Sequence, residues 1–189
     1  EQSPDYARLI NSGHFSRIKS LVENAREKGA VVEAGGDWNQ ETRYFAPTIL
    51  SDITEEMGVF QEEIFGPILP ILTYTNLNDA LALINSQPKP LALYFFGSAT
   101  DRAKRVMAET SSGNMVINDC VLHFLHTELP FGGVNNSGIG KAHGKYGFLA
   151  FSNEKGVLKQ RVGFTNVSLL RPPYGIRVKK LIATMMKWF

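Results

Sequence analysis

Gln61-Glu62-Glu63-Ile64-Phe65-Gly66-Pro67, followed at once by Ile68-Leu69-Pro70-Ile71-Leu72, joins two carboxylates and an aromatic ring to a glycine-proline break and an apolar run. Acids beside an apolar ring are an unusual lead into a buried strand. Such a junction can hold a carboxylate at the mouth of a sheet, within reach of a ligand's hydroxyls. The downstream pattern decides the fold. Ile68 to Tyr74 reads as a buried strand, Asn78 to Ile84 has helical apolar spacing, and Leu91 to Phe96 is a second strand after Pro88-Lys89-Pro90. Thr100 to Thr110 reads as a helix and Met115-Val116-Ile117-Asn118 as a third strand. Strand, helix, strand, helix, strand at these lengths predicts an α/β fold with a parallel sheet and right-handed crossovers. Ligands of such sheets gather beyond the carboxyl ends of the strands, where Asn118-Asp119 fall.

Upstream, Phe15, Ile18, Leu21, Val22 and Ala25 recur at helical spacing and Gly29 is placed to end that helix. Ser3-Pro4-Asp5 reads as a helix start before it. Gly35-Gly36-Asp37 marks a turn, and Tyr44 to Leu50 a strand that Pro47 confines to an edge or makes irregular. Downstream, glycines from Gly132 to Gly147 predict a long irregular loop over 130–147, and Phe148 to Leu158 a further strand or ribbon. After Arg171-Pro172-Pro173-Tyr174, Leu181, Ile182, Met185, Met186 and Phe189 are spaced as the apolar face of a basic helix.

The chain of 189 residues fits one domain or a piece of a larger one. A net charge of +2 is too small to imply nucleic acid, and no apolar run is long enough to span a bilayer. No signal-peptide pattern is present, and a first residue of Glu suggests a segment of a longer protein. A single cysteine, Cys120, excludes an internal disulfide framework and fits a reducing, cytoplasmic compartment.

Three groups of residues invite chemistry. In an extended backbone residues two apart share a side, so Glu63 and Phe65 together offer a carboxylate for ribose hydroxyls and a ring for a flat heterocycle. The residue types alone fit a solvated acidic turn better. Gly138-Ile139-Gly140 begins like a dinucleotide fingerprint, but the next required glycine falls on His143 and no strand precedes it; Lys141 also misses P-loop spacing. A structural loop with close backbone approach is the better reading. Cys120 lies beside Asp119 with no base or cation in its local sequence, which predicts an inert thiol. His123, His126 and His143 lack metal-ligand spacing, so no metal site is expected.

With Gln61 to Pro67 and Pro130-Phe131-Gly132-Gly133-Val134-Asn135-Asn136-Ser137-Gly138 in hand, the chain resembles the C-terminal portion of an NAD(P)-dependent aldehyde dehydrogenase of the class 3, fatty or aromatic aldehyde, branch. Ser3 to Tyr6, Arg43 to Thr48, Lys89 to Tyr94, Glu109 to Gly113 and His143 to Phe148 match that branch in the same order. The resemblance implies oxidation of aldehydes to carboxylic acids with NAD or NADP. Glu63 would hold the nicotinamide-ribose hydroxyls and Phe65 would pack beside the nicotinamide. Phe131 would line the aldehyde tunnel; Asn118 would sit at a strand end near the site, and His143 with Phe148 would shape it. Residues 1–147 would complete a catalytic domain, 148–163 would form an oligomerisation strand joining two subunits of a homodimer, and 164–189 an amphipathic tail able to touch a membrane surface. The family's nucleophilic cysteine, general-base glutamate and cofactor domain would all lie upstream of this segment. Without them the segment would be inactive alone. A truncated, non-catalytic interaction module is the alternative.

Overall fold

Phe15, Ile18, Leu21, Val22 and Ala25 form the buried face of helix α1 (Ser12–Glu27) in a computed structural model that describes residues 1–163, 165, 171–172 and 174–188. The Asn11 side chain accepts the His14 amide at 2.8 Å and caps the first turn. Gly29, at φ 101°, ends the helix as expected. The earlier start expected at Ser3-Pro4-Asp5 is instead a turn, because Ser3 Oγ takes the Asp5 amide locally.

Contacts divide the chain into two compact units, residues 1–88 with 104–111, and residues 89–103 with 112–189. In the first unit α1 packs its apolar face on Phe45, Leu50, Met57, Val59 and Ile68, all nearly solvent-free. Its three-stranded sheet has the order β1 (Val31–Ala34), β4 (Thr48–Ser51), β5 (Ile68–Pro70), with β1 antiparallel and β5 parallel to β4. Thr48 and Leu50 alternate inward along β4, the period-2 signature of a strand with one buried face.

Two expected strands are shorter than the sequence predicts, for one reason. Proline has no amide to give to a ladder. Tyr44 to Leu50 breaks at Ala46-Pro47 into β3 (Tyr44–Phe45), paired with β2 (Trp38–Asn39), and β4. Ile68 to Tyr74 stops at Pro70, although the Ile71 amide still reaches the Leu50 carbonyl at 2.8 Å. Helix α2 (Gly58–Gln61) is a single turn before the junction, and α3 (Leu77–Ser86) starts on the side chain of Asn76.

The second unit holds β6 (Ala92–Phe95) and β7 (Asn114–Ile117), parallel and in register from Ala92 opposite Asn114 to Phe95 opposite Ile117. Helix α4 (Thr100–Glu109) joins them and runs across the division between the units. The α/β class with parallel pairing is as expected, but the three strands predicted as one ladder are not one. β5 pairs with β4, and β6 with β7.

Helix α5 (Gly144–Ala150) begins inside the expected irregular loop and absorbs Phe148. Residues 151–163 then form neither helix nor strand, and Phe151, Val157, Leu158 and Val162 are each 80% or more exposed. The ribbon expected here is paired with no strand among the described residues. Helix α6 (Ile176–Met185) carries the basic amphipathic pattern. Phe189, placed on its apolar face from the sequence, lies outside the described residues, as does most of 164–170. Among the described residues no helix is long and apolar enough to cross a membrane.

Candidate functional site

The acidic-aromatic junction is fastened to α1 by one arginine. Arg17 donates from Nη1 to the Glu63 carbonyl at 3.2 Å and from Nη2 to the Ile64 carbonyl, and it pairs with the Glu62 carboxylate at 3.6 Å. The chain then passes so close to the helix that a Cβ on Gly66 would lie 2.5 Å from Ile18 Cδ1. Between these anchors Phe65 takes a left-handed backbone, φ 47°, and its ring is 71% exposed. For a bulky residue that conformation costs on the order of 1–3 kcal/mol and persists only when its neighbours impose it. The left-handed residue ends the extended backbone, so the two-residue alternation that put Glu63 and Phe65 on one side does not apply. They are neighbours through a turn.

The two acids have different circumstances. The Glu62 carboxylate is engaged by Arg17, whereas the exposed Glu63 carboxylate has no hydrogen-bond or ion-pair partner among the described residues. A carboxylate with all its lone pairs free can accept two hydroxyl protons at once. Phe65 borders a cleft completed by Arg8, Leu9, Ile10 and His14.

In the second unit, rings gather around Phe131. His143 stacks on it with centroids 5.1 Å apart and planes at 10°, His123 lies 5.4 Å away, and Phe124 6.3 Å away. Tyr94 meets the edge of His123 at 5.9 Å. His123 sits on the turn Leu122–Leu125, only 9% exposed, and neither ring nitrogen has a hydrogen-bond partner among the described residues. The sequence marks His123 only as lacking metal-ligand spacing. Its signal is position: six residues past the end of β7, on the side where ligands of parallel strands gather. His126 ends the same turn and is exposed.

Of the residues singled out from the sequence, Phe131 and His143 are therefore in direct contact. Asn118 does not enter this cluster. It follows β7 with φ 60°, its amide donates to the Phe95 carbonyl at 2.7 Å, and its Oδ1 accepts the Gly97 amide at 2.8 Å. Its acceptor oxygen is thus spent on tying the ends of β6 and β7, and its Nδ2 remains for a ligand. Phe148 points away on α5, 72% exposed. Cys120 is exposed, and its backbone amide donates to the Asp119 side chain at 2.7 Å. No cluster of three metal-binding side chains occurs among the described residues.

The aldehyde dehydrogenase family profile matches residues 1–157. Among curated relatives, rat aldehyde dehydrogenase family 3 member A2 is 48% identical over 171 residues, covering 90% of this chain and 34% of that protein. A probable coniferyl aldehyde dehydrogenase of Pseudomonas aeruginosa is 43% identical over 180 residues, covering 95% and 37%. A solved structure of the substrate-bound state of Staphylococcus aureus AldH superposes with a TM-score of 0.82 at 42% identity, over 97% of this chain and 39% of that one. An aldehyde dehydrogenase of Mycobacterium tuberculosis complexed with NAD+ gives 0.74 at 30% identity, over 84% and 33%. The chain spans about a third of the length of the curated relatives it matches.

Proposed function

Because this chain belongs to the aldehyde dehydrogenase family, we propose that a polypeptide containing it oxidises aldehydes to carboxylic acids with NAD or NADP, and that these residues supply the ribose clamp and part of the aldehyde path. One observation carries the reading. Of two adjacent acids, Arg17 occupies Glu62 and leaves Glu63 free beside an exposed ring in a strained conformation. Strain of this kind at an exposed aromatic favours a ligand-facing role over a packing one.

In this reading the Glu63 carboxylate accepts the two hydroxyls of the nicotinamide ribose and so fixes the sugar. Phe65 covers one side of the attached ring and keeps water from it. The bound dinucleotide would supply the hydride acceptor. Phe131, backed by the stacked His143, forms an apolar wall along which the aldehyde's carbon chain lies, and Asn118 offers its Nδ2 near the strand ends. Cys120 is not given the nucleophile's role, since its sequence neighbours Asp119, Val121 and Leu122 include no activating base or cation. Residues 151–163, with large apolar side chains in water and unpaired backbone, suit pairing with a second subunit.

Purified alone, the 189 residues should form no reduced cofactor from any aldehyde, while the longer polypeptide should. Thiol-dependent reduction by the isolated chain would overturn the assignment of the nucleophile elsewhere. A longer polypeptide inert toward aliphatic and aromatic aldehydes alike would overturn the activity itself.

A second reading concerns the tail. From Lys155 onward the sequence has eight Lys and Arg and no Asp or Glu, although the whole chain carries only +2. Basic side chains on the flank of an apolar helix face attract anionic lipid at about 1 kcal/mol per cation. Helix α6 therefore suits an anionic membrane surface.

A further inference from the structure

The glycine-rich loop contains one cation, Lys141, that no reading of the loop as a phosphate cradle explains. Its ammonium donates to three backbone carbonyls: Gly132 at 2.8 Å, Gly113 at 3.1 Å and Gly133 at 3.3 Å. A lysine has three N–H donors and no acceptor, so the three carbonyls match its capacity in number. Such charge-assisted bonds are about twice as strong as neutral ones. Gly113 leads into β7, whereas Gly132 and Gly133 follow Phe131 directly. One half-buried side chain thereby joins the start of a strand to the loop that carries the ring.

The approach it secures is unusually close. A Cβ on Gly113 would lie 2.3 Å from the Gly132 oxygen and 2.6 Å from the Leu91 oxygen. Carbonyl oxygens crowded in this way present their negative ends to the same small volume. A cation is the natural counterweight, and Asn114 adds only a neutral donor, its Nδ2 reaching Leu91 O at 3.2 Å and Gly132 O at 3.3 Å. Phe131 and Ala142 also exchange backbone bonds, 3.3 Å one way and 2.6 Å the other. The residue before Gly132 and the residue after Lys141 are therefore locked together, and the clamp sits immediately behind the aromatic ring.

We propose that Lys141 is a positioning residue for aldehyde binding: by gathering the carbonyls of Gly113, Gly132 and Gly133 it sets the backbone from which Phe131 projects. The proposal rests on the reading of Phe131 as a wall of the aldehyde path. Lys141 acts through the backbone, so its loss alters where the aldehyde is held and leaves the cofactor clamp in the other unit untouched.

The test is steady-state kinetics on the full-length enzyme, varying aldehyde and cofactor separately, for K141M, K141Q and K141R. Small misplacements of substrate-positioning groups are costly, and the expected result for K141M is an aldehyde KM raised about 10-fold with cofactor KM and kcat within about 2-fold. K141Q keeps two neutral donors and K141R keeps charge and donors, so aldehyde KM rises in the order wild type, K141R, K141Q, K141M. If K141M does not fold, the order of the remaining three decides. A flat order, or a fall in kcat with both KM values altered together, overturns the proposal. F131A separates the two levels of argument. If F131A raises aldehyde KM and the Lys141 series does not, the proposal alone fails; if F131A leaves it unchanged, the wall reading fails and takes the proposal with it.

Discussion

Glu63→Gln is the sharpest perturbation the geometry offers, because it removes a charge while keeping size and one acceptor. Within the chain that carboxylate has no partner among the described residues, and the contact that fixes the residue runs from Arg17 to its backbone carbonyl at 3.2 Å. The fold should not register the change, so stability should stay within about 0.5 kcal/mol. The cofactor should register it strongly. Hydrogen bonds to a charged acceptor contribute about 1.5–3 kcal/mol and neutral ones about 0.5–1.5, a difference of about 1 kcal/mol per bond. Two ribose hydroxyls make that about 2 kcal/mol, or roughly 30-fold in cofactor affinity.

Glu62→Gln is the control built into the sequence. It breaks a solvent-exposed pair with Arg17 at 3.6 Å, a contact worth at most about 1 kcal/mol of stability, and should leave cofactor binding unchanged. Calorimetric titration of the full-length enzyme with NAD+ and NADP+, alongside thermal unfolding, reads both quantities. An E63Q affinity within 2-fold of wild type would refute the clamp. So would equal losses in E62Q and E63Q, since the difference between the two acids is the whole argument.

Two further outcomes follow from other parts of the chain. Tyr6 donates its hydroxyl to the Phe45 carbonyl at 2.8 Å, and burial, helped by Tyr44 and opposed by Arg8, raises its pKa above the ordinary 10.0. A raised folded-state pKa means the contribution is whole below pH 10.0 and is lost as pH climbs through the higher value. Thermal midpoints should therefore fall more steeply at alkaline pH in wild type than in Tyr6→Phe, and parallel curves would contradict this. For the tail, co-sedimentation with phosphatidylserine vesicles should disappear when residues 175–189 are removed and weaken as salt is raised, whereas phosphatidylcholine vesicles should capture neither form. Equal capture by both lipids would refute an electrostatic contact.

Local periodicity made much of this legible. The buried stripe of α1, the helices α3 and α4, and the strands β6 and β7 all announce themselves within a dozen residues, and each is present within one or two residues of its expected limits. Proline placement was also readable at Pro47, yet Pro70 was passed over inside an otherwise apolar run, and β5 is short because of it. What local pattern does not carry is partnership. Nothing near Ile68 says that β5 pairs with β4 and not with β6, since register is chosen by the strand offered from elsewhere. The stretch 151–163 has strand-like residues and pairs with no strand among the described residues. Its composition reports a propensity, and only a neighbouring edge could turn that into structure.

The same distinction explains why the contacts of Arg17 and Lys141 are not legible in the sequence while the motifs of the neighbouring rings are. Phe65 and Phe131 stand in recognisable motifs; the cations are, by sequence, an ordinary helix arginine and a lysine with the wrong spacing for a phosphate loop. In space each does comparable work. Arg17 holds the carbonyls of Glu63 and Ile64 just before Phe65, and Lys141 holds those of Gly132 and Gly133 just after Phe131. A core aromatic is fixed by burying its own surface, as Phe15 is at 1% exposure. A ring kept for a ligand cannot be fixed that way, because the burial that would hold it is the contact the ligand must make. Its aim has to be set from behind, through the backbone. On the proposed reading, a long cationic side chain reaching several carbonyls provides that without covering the ring, and the two residues proposed to aim these aromatics lie 48 and 10 positions away from them in sequence.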